Sequence, residues 1–425
     1  MGDAAVINPV MILPFALLLL SIATIPLINK EWWDKNYPVP SFGFGAIAVV
    51  YYIFFLNNIT RMFHTGLEYI SFITLIGSLF VVAGGIHINI KGQSTPHANV
   101  IMLLVGAIVS NFLGTTGASM LLIRPYLKVN KYRLTGYHVV FFIFIVSNIG
   151  GLLTPIGDPP LFLGYLKGVP FFWVISKVWH IWALTVVLVL TVFYFVDYHY
   201  YKKVREKTRE EVEEKGEKTH VLGLQNIFFL FVILAAVFIN KPPLLREVIM
   251  AASAIGSYLT TKKEIHERNH FNFIPIKEVA ILFAGIFATM VPCLDWLQLN
   301  ADKLGIRTPG QFYWSTGILS SILDNAPTYL NFLSASFGLH HLQLDSHVHM
   351  EIFLKEHWEY LQAISVGAVF FGANTYIGNG PNFMVKSISE QAGAHCPSFF
   401  GYIIKYSLPI LAPIFTVVWF LFFRN

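Results

Sequence analysis

The amino-acid sequence predicts an all-α polytopic membrane protein built from two inverted repeats. Of its 425 residues, 55% are hydrophobic and only 12% are charged, and the mean hydropathy is +0.60. Soluble domains carry about 25% charged residues, so this chain cannot cover itself with a charged surface. A short phrase also occurs twice: residues 151–162 return as residues 372–383, with six of twelve positions identical at an offset of 221.

In both copies of this phrase, a polar stretch rich in Gly and Pro interrupts an apolar span. Corresponding interruptions in the two halves of a membrane protein are typical of secondary transporters, whose discontinuous helices form a site near the bilayer midplane. We therefore predict broken helices at residues 136–166 and 361–388, with the transport site between them.

Unbroken spans are predicted where about 20 consecutive residues are predominantly apolar. The windows that meet this condition are 8–28, 43–57, 68–90, 171–196, 221–239, 244–260, 278–298 and 400–423. The first window follows no Lys or Arg, which favours a retained membrane helix over a cleaved signal peptide.

Two further apolar segments, 98–123 and 312–338, carry polar tips, and we predict that they form re-entrant hairpins. Glu68 and Glu278 stand 42 residues before the respective tips, so the halves correspond there at an offset of 210. We expect each of these acids in the first turn of a helix, where the helix dipole favours negative charge. The offset then grows from 210 to 221, so the second half has gained eleven residues after its hairpin.

Each half thus contains five spans and one hairpin, and this odd number of crossings inverts the second half. The predicted organisation is a first repeat over 1–200, a charged cytoplasmic linker over 201–220 and a second repeat over 221–425. With the N-terminus outside, the inside loops hold 18 Lys and Arg against about 8 outside, in agreement with the positive-inside rule. We predict a multi-pass protein of the cell (inner) membrane in this orientation.

Three motifs resemble the ion transporter superfamily: Ser110-Asn111, residues 149–158 (Ile-Gly-Gly-Leu-Leu-Thr-Pro-Ile-Gly-Asp) and residues 323–328 (Leu-Asp-Asn-Ala-Pro-Thr). Within it, the chain is most similar to NhaD-type sodium/proton antiporters and the related citrate transporters. The resemblance implies a homodimer, with a scaffold domain and a transport domain that moves like an elevator. The chain departs from the antiporters at Pro159-Pro160, where Val-Thr-Thr is expected, and its second copy of the phrase contains no acid.

Two acids interrupt the apolar segments, Asp158 in the first broken helix and Asp324 in the second hairpin. A carboxylate at the bilayer centre costs roughly 2.5–3.5 kcal/mol, and it persists where it binds a cation, holds a proton or pairs with a base. We predict that both acids bind ions or protons, and that replacing either by Asn abolishes exchange. The alternative is that each acid only caps the helix that follows it.

Neutral oxygen ligands accompany these acids in the four interrupted segments. They suit Na⁺ better than a transition metal, although each residue could instead only satisfy broken backbone. The predicted ligands are Ser110, Asn111, Thr115, Thr154, Asn325, Asn374, Thr375 and Asn379. We expect Arg124 to belong to a topological basic loop and Lys386 to reach the membrane interface, which leaves a cavity rich in acids and poor in bases.

These features predict a secondary active transporter that exchanges Na⁺, or a similar monovalent cation, for H⁺ by alternating access. The alternative is a carboxylate (citrate-like) or arsenite transporter of the same superfamily. An enzyme is not predicted, because the sequence contains no Gly-x-Ser-x-Gly phrase and its His-Glu-x-x-His phrase, residues 266–270, falls in the predicted inside loop 261–277 rather than on a helix.

The partners expected besides Na⁺ and H⁺ are the lipid bilayer and a second copy of the chain. No cofactor and no nucleic acid are expected. Cys293 and Cys396 lie far apart and indicate no disulfide framework. The loop from His340 to His357 has two alternative interpretations. It is either an ordinary exposed connection or a segment that binds a metal or responds to pH.

Overall fold

The computed structural model describes residues 7–90, 94–203, 220–239 and 241–424. In this part of the chain, eight helices are long and apolar enough to cross a membrane, and the protein is an all-α polytopic membrane protein. The α-helices are Leu13–Ile28, Lys30–Asn36, Pro38–Val50, Ile59–Gly84, Pro96–Val129, Gly136–Ile145, Pro159–Leu166, Phe171–Tyr201, Gln225–Ala236, Leu245–Thr260, Lys263–Arg268, Ile274–Asn300, Pro309–Ile322, Asn325–Leu339, His347–Glu356, Trp358–Phe371, Gly380–Gln391, Phe399–Tyr402 and Ala412–Phe422.

Shorter elements complete the described chain. The 3₁₀ helices are Pro9–Ile12, Ile149–Leu153, Ala301–Leu304 and Gly372–Asn374, and the π-helices are Tyr51–Phe55 and Ile403–Leu411. The strands His87–Asn89 and His220–Leu222 form one antiparallel pair. This pair ties the end of the predicted linker to the connection that precedes the first hairpin.

The first hairpin, Pro96–Val129, folds back on itself at Gly114. Its 34 residues would span about 51 Å as a straight helix. However, Asn99 near its start donates a hydrogen bond of 2.8 Å to the Oδ1 of Asn130 just beyond its end. The turn depends on glycine, since Gly114 has φ +70° and ψ 159°, outside the range that other residues adopt readily. The predicted hairpin is confirmed.

The second hairpin consists of Pro309–Ile322 and Asn325–Leu339, joined through extended backbone at Leu323 and Asp324. Its arms run side by side, as the distance of 6.2 Å between the ring centroids of Phe312 and Phe332 shows. This hairpin is also confirmed.

The two broken helices share one local structure at the predicted offset. Helix Gly136–Ile145 and helix Trp358–Phe371 each lead into a 3₁₀ turn and then an extended stretch. Gly157 N–H donates to Thr154 Oγ1 at 3.1 Å, and Gly378 N–H donates to Thr375 Oγ1 at 3.1 Å. A Cβ on Gly157 would collide with the carbonyl oxygen of Gly151, so the first break requires glycine there.

Sequence windows placed the starts of several helices too late, including Pro38–Val50, Ile59–Gly84 and Ile274–Asn300. The window for helix Ile59–Gly84 began only at 68, because Arg61 and His64 lower the local hydropathy. Both residues nevertheless lie within the helix. Neither Glu68 nor Glu278 therefore lies in a first turn, and the prediction that they do is wrong.

Two other predicted segments contain different or undescribed structure. The histidine-bearing loop includes the helix His347–Glu356, and the rings of His340 and His357 stack 3.6 Å apart. No group of three or more His, Cys, Asp or Glu could hold a metal ion within the described ranges. Residues 204–219 of the predicted linker lie outside the described residues, and the domain boundaries stay a prediction.

Candidate functional site

Asp158 lies in the gap of the first broken helix, immediately before helix Pro159–Leu166. It occupies the N-cap position with extended backbone (φ −140°, ψ 142°), but its side chain makes no capping hydrogen bond to that helix. The carboxylate instead points away from its own helix, and it is completely buried.

Three elements converge on this carboxylate. Thr115 in the first hairpin donates from Oγ1 to Asp158 Oδ1 at 2.7 Å. Asn325 in the second hairpin donates from Nδ2 to Oδ2 at 2.6 Å, and Asn379 in the second broken helix donates to Oδ1 at 3.0 Å. Since Asp158 belongs to the first broken helix, all four interrupted elements meet at one carboxyl group.

All three partners of Asp158 are electrically neutral. No Lys, Arg or His side chain hydrogen-bonds to it among the residues that the structure describes. A buried carboxylate without a base is costly unless it binds a cation or a proton. Asn325 Oδ1 lies next to this group, buried and without a hydrogen-bond partner in the described chain. The arrangement can therefore receive a small cation through carboxylate and amide oxygens.

Asp324, the second predicted acid, behaves differently. Its side chain accepts a hydrogen bond of 3.0 Å from Ala326 N–H and caps helix Asn325–Leu339. It also lines a cavity of about 480 Å³, together with Asn379. Asp158 does not line this cavity, so Asn379 stands between the cavity and Asp158.

Five other predicted ligands make no hydrogen bond to Asp158 in the part of the chain that the structure describes. They satisfy helical or broken backbone and neighbouring side chains instead: Ser110 donates to Ala107 O, Asn111 to Gly150 O, Thr154 to Asn111 O, Asn374 to Ser321 Oγ and Thr375 to Ser321 O. Thr154 and Thr375 correspond at the offset of 221, as Asn111 and Ser321 do at 210. The bonds that close the two breaks are thus equivalent.

Sequence reasoning missed two asparagines behind the site. Asn148 donates to Asn382 Oδ1 at 2.7 Å, and Asn379 Nδ2 lies 3.2 Å from Asn148 Oδ1. Both residues are fully buried. The available signal was an asparagine two residues from a glycine at each break, Asn148 before Gly150 and Asn382 after Gly380.

The cavity is not poor in bases, and that prediction is wrong. Arg124 lines it, although we expected this residue in a topological loop, whereas Lys386 is absent from the lining. The other charged lining residues are Lys30, Asp34, Glu278 and Asp324, with His270 at the mouth. The mouth is open to solvent at Lys30 and His270, which lie in the segments 29–42 and 261–277 that the sequence assigns to the inside.

Long apolar helices, two hairpins and two broken helices around a buried polar site define the class of secondary membrane transporters. The chain belongs to the family described as "Putative citrate transport", whose model matches residues 4–423. This match agrees with the resemblance to the citrate-transporting branch of the ion transporter superfamily. Both fold and family therefore point to a transporter rather than an enzyme. No curated protein matches the chain.

Proposed function

We propose that this transporter exchanges Na⁺ for H⁺ and that both ions bind at Asp158. The observation that carries the proposal is a completely buried carboxylate whose hydrogen-bond donors are all neutral. Such a group is stable in a membrane interior when a proton or a cation neutralises it. Because one carboxylate cannot hold both at full occupancy, the two ions compete.

The partners of Asp158 suit this exchange chemically. When Asp158 loses its proton, Thr115 Oγ1 offers a lone pair, and a rotated Asn325 or Asn379 amide offers a carbonyl oxygen. Oxygen ligands of this kind favour hard cations, whereas transition metals prefer imidazole or thiolate. Asn379 also faces the open cavity, so its movement would admit ions to Asp158.

The cavity mouth lies beside loops that the positive-inside rule assigns to the cytoplasm. We therefore infer a state open to the cytoplasm, with the N-terminus outside. The alternating state would expose Asp158 to the opposite side. A homodimer in the inner membrane belongs to the same proposal, through the resemblance.

The test is Asp158→Asn in proteoliposomes. The amide keeps the size of the side chain but cannot exchange a proton, so Na⁺-driven proton movement should fall to the level of empty liposomes. The matched control is Asp302→Asn, because Asp302 is exposed and lies far from the site in sequence. Full exchange by a correctly folded Asp158→Asn protein would remove this residue from the ion site.

A second candidate function, carboxylate transport, is favoured by Arg124. Its guanidinium lines the cavity, and it makes no hydrogen bond or ion pair within the described residues. Arginine binds carboxylates with two parallel hydrogen bonds. The cavity of about 480 Å³ also lies in the range typical of small-molecule sites, roughly 300–1,000 Å³. The family description agrees with this candidate.

Labelled citrate separates the two candidates. If citrate is the cargo, a Na⁺ or proton gradient should drive its uptake, and Arg124→Gln should reduce uptake by about tenfold or more through loss of charged hydrogen bonds. The matched control is Arg268→Gln, since Arg268 is exposed and, among the described residues, forms its ion pair with Glu264 on its own helix. Absence of citrate uptake by a protein that exchanges Na⁺ for H⁺ would exclude citrate as the cargo.

A further inference from the structure

A cluster of ion pairs closes the face opposite the cavity mouth. Arg61 binds Asp295 and Asp345, each at 2.7 Å. Lys167 binds Glu68 and Asp345, also at 2.7 Å each. We call these five residues the latch. Asp345 is its centre, because it is the acid that accepts from both bases.

The latch and the cavity lie at opposite ends of the same two helices. Helix Ile274–Asn300 carries Glu278 in the cavity lining and Asp295 in the latch, about 25 Å apart along its axis at 1.5 Å per residue. Helix Ile59–Gly84 carries Arg61 and Glu68 at its start, and Phe80 in the cavity lining near its end. One face is therefore open while the other is held shut.

The latch joins elements that carry the Asp158 site to elements that do not. Lys167 directly follows the last residue of helix Pro159–Leu166, which begins next to Asp158. Glu68 lies on helix Ile59–Gly84, outside the four interrupted elements. The side chain of Lys167 is only 3% exposed, so water screens its ion pairs weakly. Opening this face requires Lys167 to leave both carboxylates.

The inverted repeat has no equivalent latch at the open face. At an offset of 210, the counterpart of Arg61 is Phe271 and that of Asp295 is Gly85. At an offset of 221, the counterpart of Lys167 is Ile388. Only Glu68 has a matching acid, Glu278, which makes no ion pair in the described chain.

Asp345 has no acidic counterpart, since the offsets of 210 and 221 lead to Thr135 and Arg124. It lies between helix Asn325–Leu339 and helix His347–Glu356, in the interval where the second repeat gained eleven residues. Although burial raises the pKa of this carboxyl, Lys167 and Arg61 hold it below its usual value, so Asp345 is ionised at neutral pH. The connection that carries Asp345 thus supplies a negative charge beside the buried Lys167 and the partly buried Arg61.

We propose that the latch around Asp345 biases alternating access toward the state in which the cavity is open. A symmetric pair of repeats would favour neither state, but here ion pairs stabilise only one of them. The opposite state loses these pairs and gains no equivalents from Phe271 or Ile388. This inference concerns the two conformations and does not depend on which ion or anion is carried.

Labelling of single cysteines tests the proposal in a background with Cys293→Ser and Cys396→Ser. Ser387→Cys reports on the cavity, which Ser387 lines. Thr65→Cys reports on the closed face, because Thr65 is buried between Arg61 and Glu68 on the same helix. Asp345→Asn should slow maleimide labelling at Ser387→Cys by about twofold and speed it at Thr65→Cys by about fivefold, as removal of partly buried ion pairs shifts the populations.

Three controls keep this test decisive. Asp302→Asn removes an exposed charge outside the latch and should change neither rate. Lys167→Gln should change the two labelling rates in the same directions as Asp345→Asn does. In the double variant, the fold-change in each rate should be smaller than the product of the fold-changes in the two single variants. Faster labelling at Thr65→Cys alone would indicate local fraying and overturn the proposal, as would unchanged rates in both variants. The labelling rates test the latch independently of the ion site. If the Asp158→Asn protein still transports, the proposed ion site is wrong, but the proposal about the latch still stands or falls on these rates.

Discussion

Asp158 and Asp324 occupy the same kind of position and yet do different things. Each is the N-cap residue of the helix that follows a break in an apolar segment. Asp324 accepts a hydrogen bond from the N–H of the second helical residue, Ala326. Asp158 cannot do this, because its second helical residue is Pro160, which has no N–H.

The proline pair therefore has a consequence beyond the local backbone. In most helices an N-cap aspartate is held by the N–H groups of the first turn. Pro159 and Pro160 remove two of these donors, and the carboxylate turns to Thr115, Asn325 and Asn379 instead. The proline pair that distinguishes the chain from the antiporters it resembles thus leaves the Asp158 carboxylate without a capping hydrogen bond to its own helix. The comparison teaches that the donors after an acid decide whether it serves the fold or the site.

The largest expected effect is the change of apparent Na⁺ affinity with pH, which we assign to Asp158 rather than to Asp324. If protons and Na⁺ compete at Asp158, each unit of pH below its pKa should weaken apparent Na⁺ affinity by about tenfold, because linkage is reciprocal. The sign is fixed: raising the pH removes the proton, creates the ligand and lowers the half-saturation constant, which then levels off. Na⁺-dependent exchange in proteoliposomes measures this between roughly pH 6 and pH 9. A constant value over that range would contradict competition.

A smaller effect is expected from Pro160→Ala. The new N–H would offer Asp158 a capping hydrogen bond like the one that Ala326 gives Asp324, and it would draw the carboxylate away from its present partners. Loss of part of one charged hydrogen bond should weaken Na⁺ binding by about fivefold. Isothermal titration of purified protein measures the affinity, with Pro327→Ala in the second hairpin as the matched control. Equal affinities in Pro160→Ala and the unaltered protein would show that proline is irrelevant to the site.

The smallest effect is expected from Asp324→Asn. Asparagine caps helices as well as aspartate does, so the second hairpin should stay intact. Only a charge on the cavity wall is lost, and Na⁺ affinity should fall by no more than about threefold, given the weak coupling between partly solvated charges. The sequence alone had predicted complete loss of exchange for this variant. If Asp324→Asn abolishes Na⁺/H⁺ exchange as Asp158→Asn is expected to do, the two acids act as one site.

The fold was accessible from sequence because its main signals are local. A polar tip in an apolar segment, as around Gly114, marks a hairpin, and the phrase repeated at offset 221 locates both breaks. The start of helix Ile59–Gly84 was not accessible, since a hydropathy window rejects Arg61 even where tertiary ion pairs hold it. A polar residue near the end of an apolar helix therefore does not mark the residue at which the helix begins.

Predicting the site from sequence was harder because its contacts join distant segments. The repeat suggested Asp158 and Asn379, which correspond at the offset of 221. Asn379 Nδ2 lies 3.0 Å from Asp158 Oδ1. It could not suggest Asn148 or Asn382, whose counterparts Val369 and Leu161 are apolar. Arg124 was misjudged for a similar reason, because packing of other helices turned a predicted loop residue into part of the cavity wall.

The equivalent bonds at the two breaks have a mechanical consequence. Thr154 donates to the carbonyl oxygen of Asn111 in one hairpin and Thr375 to that of Ser321 in the other, so each break is tied to a hairpin. Elements tied in this way can shift together without breaking these hydrogen bonds. Resistance to their motion then arises only at their outer surface, where side chains slide past their neighbours. The rate of a transport cycle would then depend on the contacts at that surface, and the affinity for the ion on the side chains around Asp158.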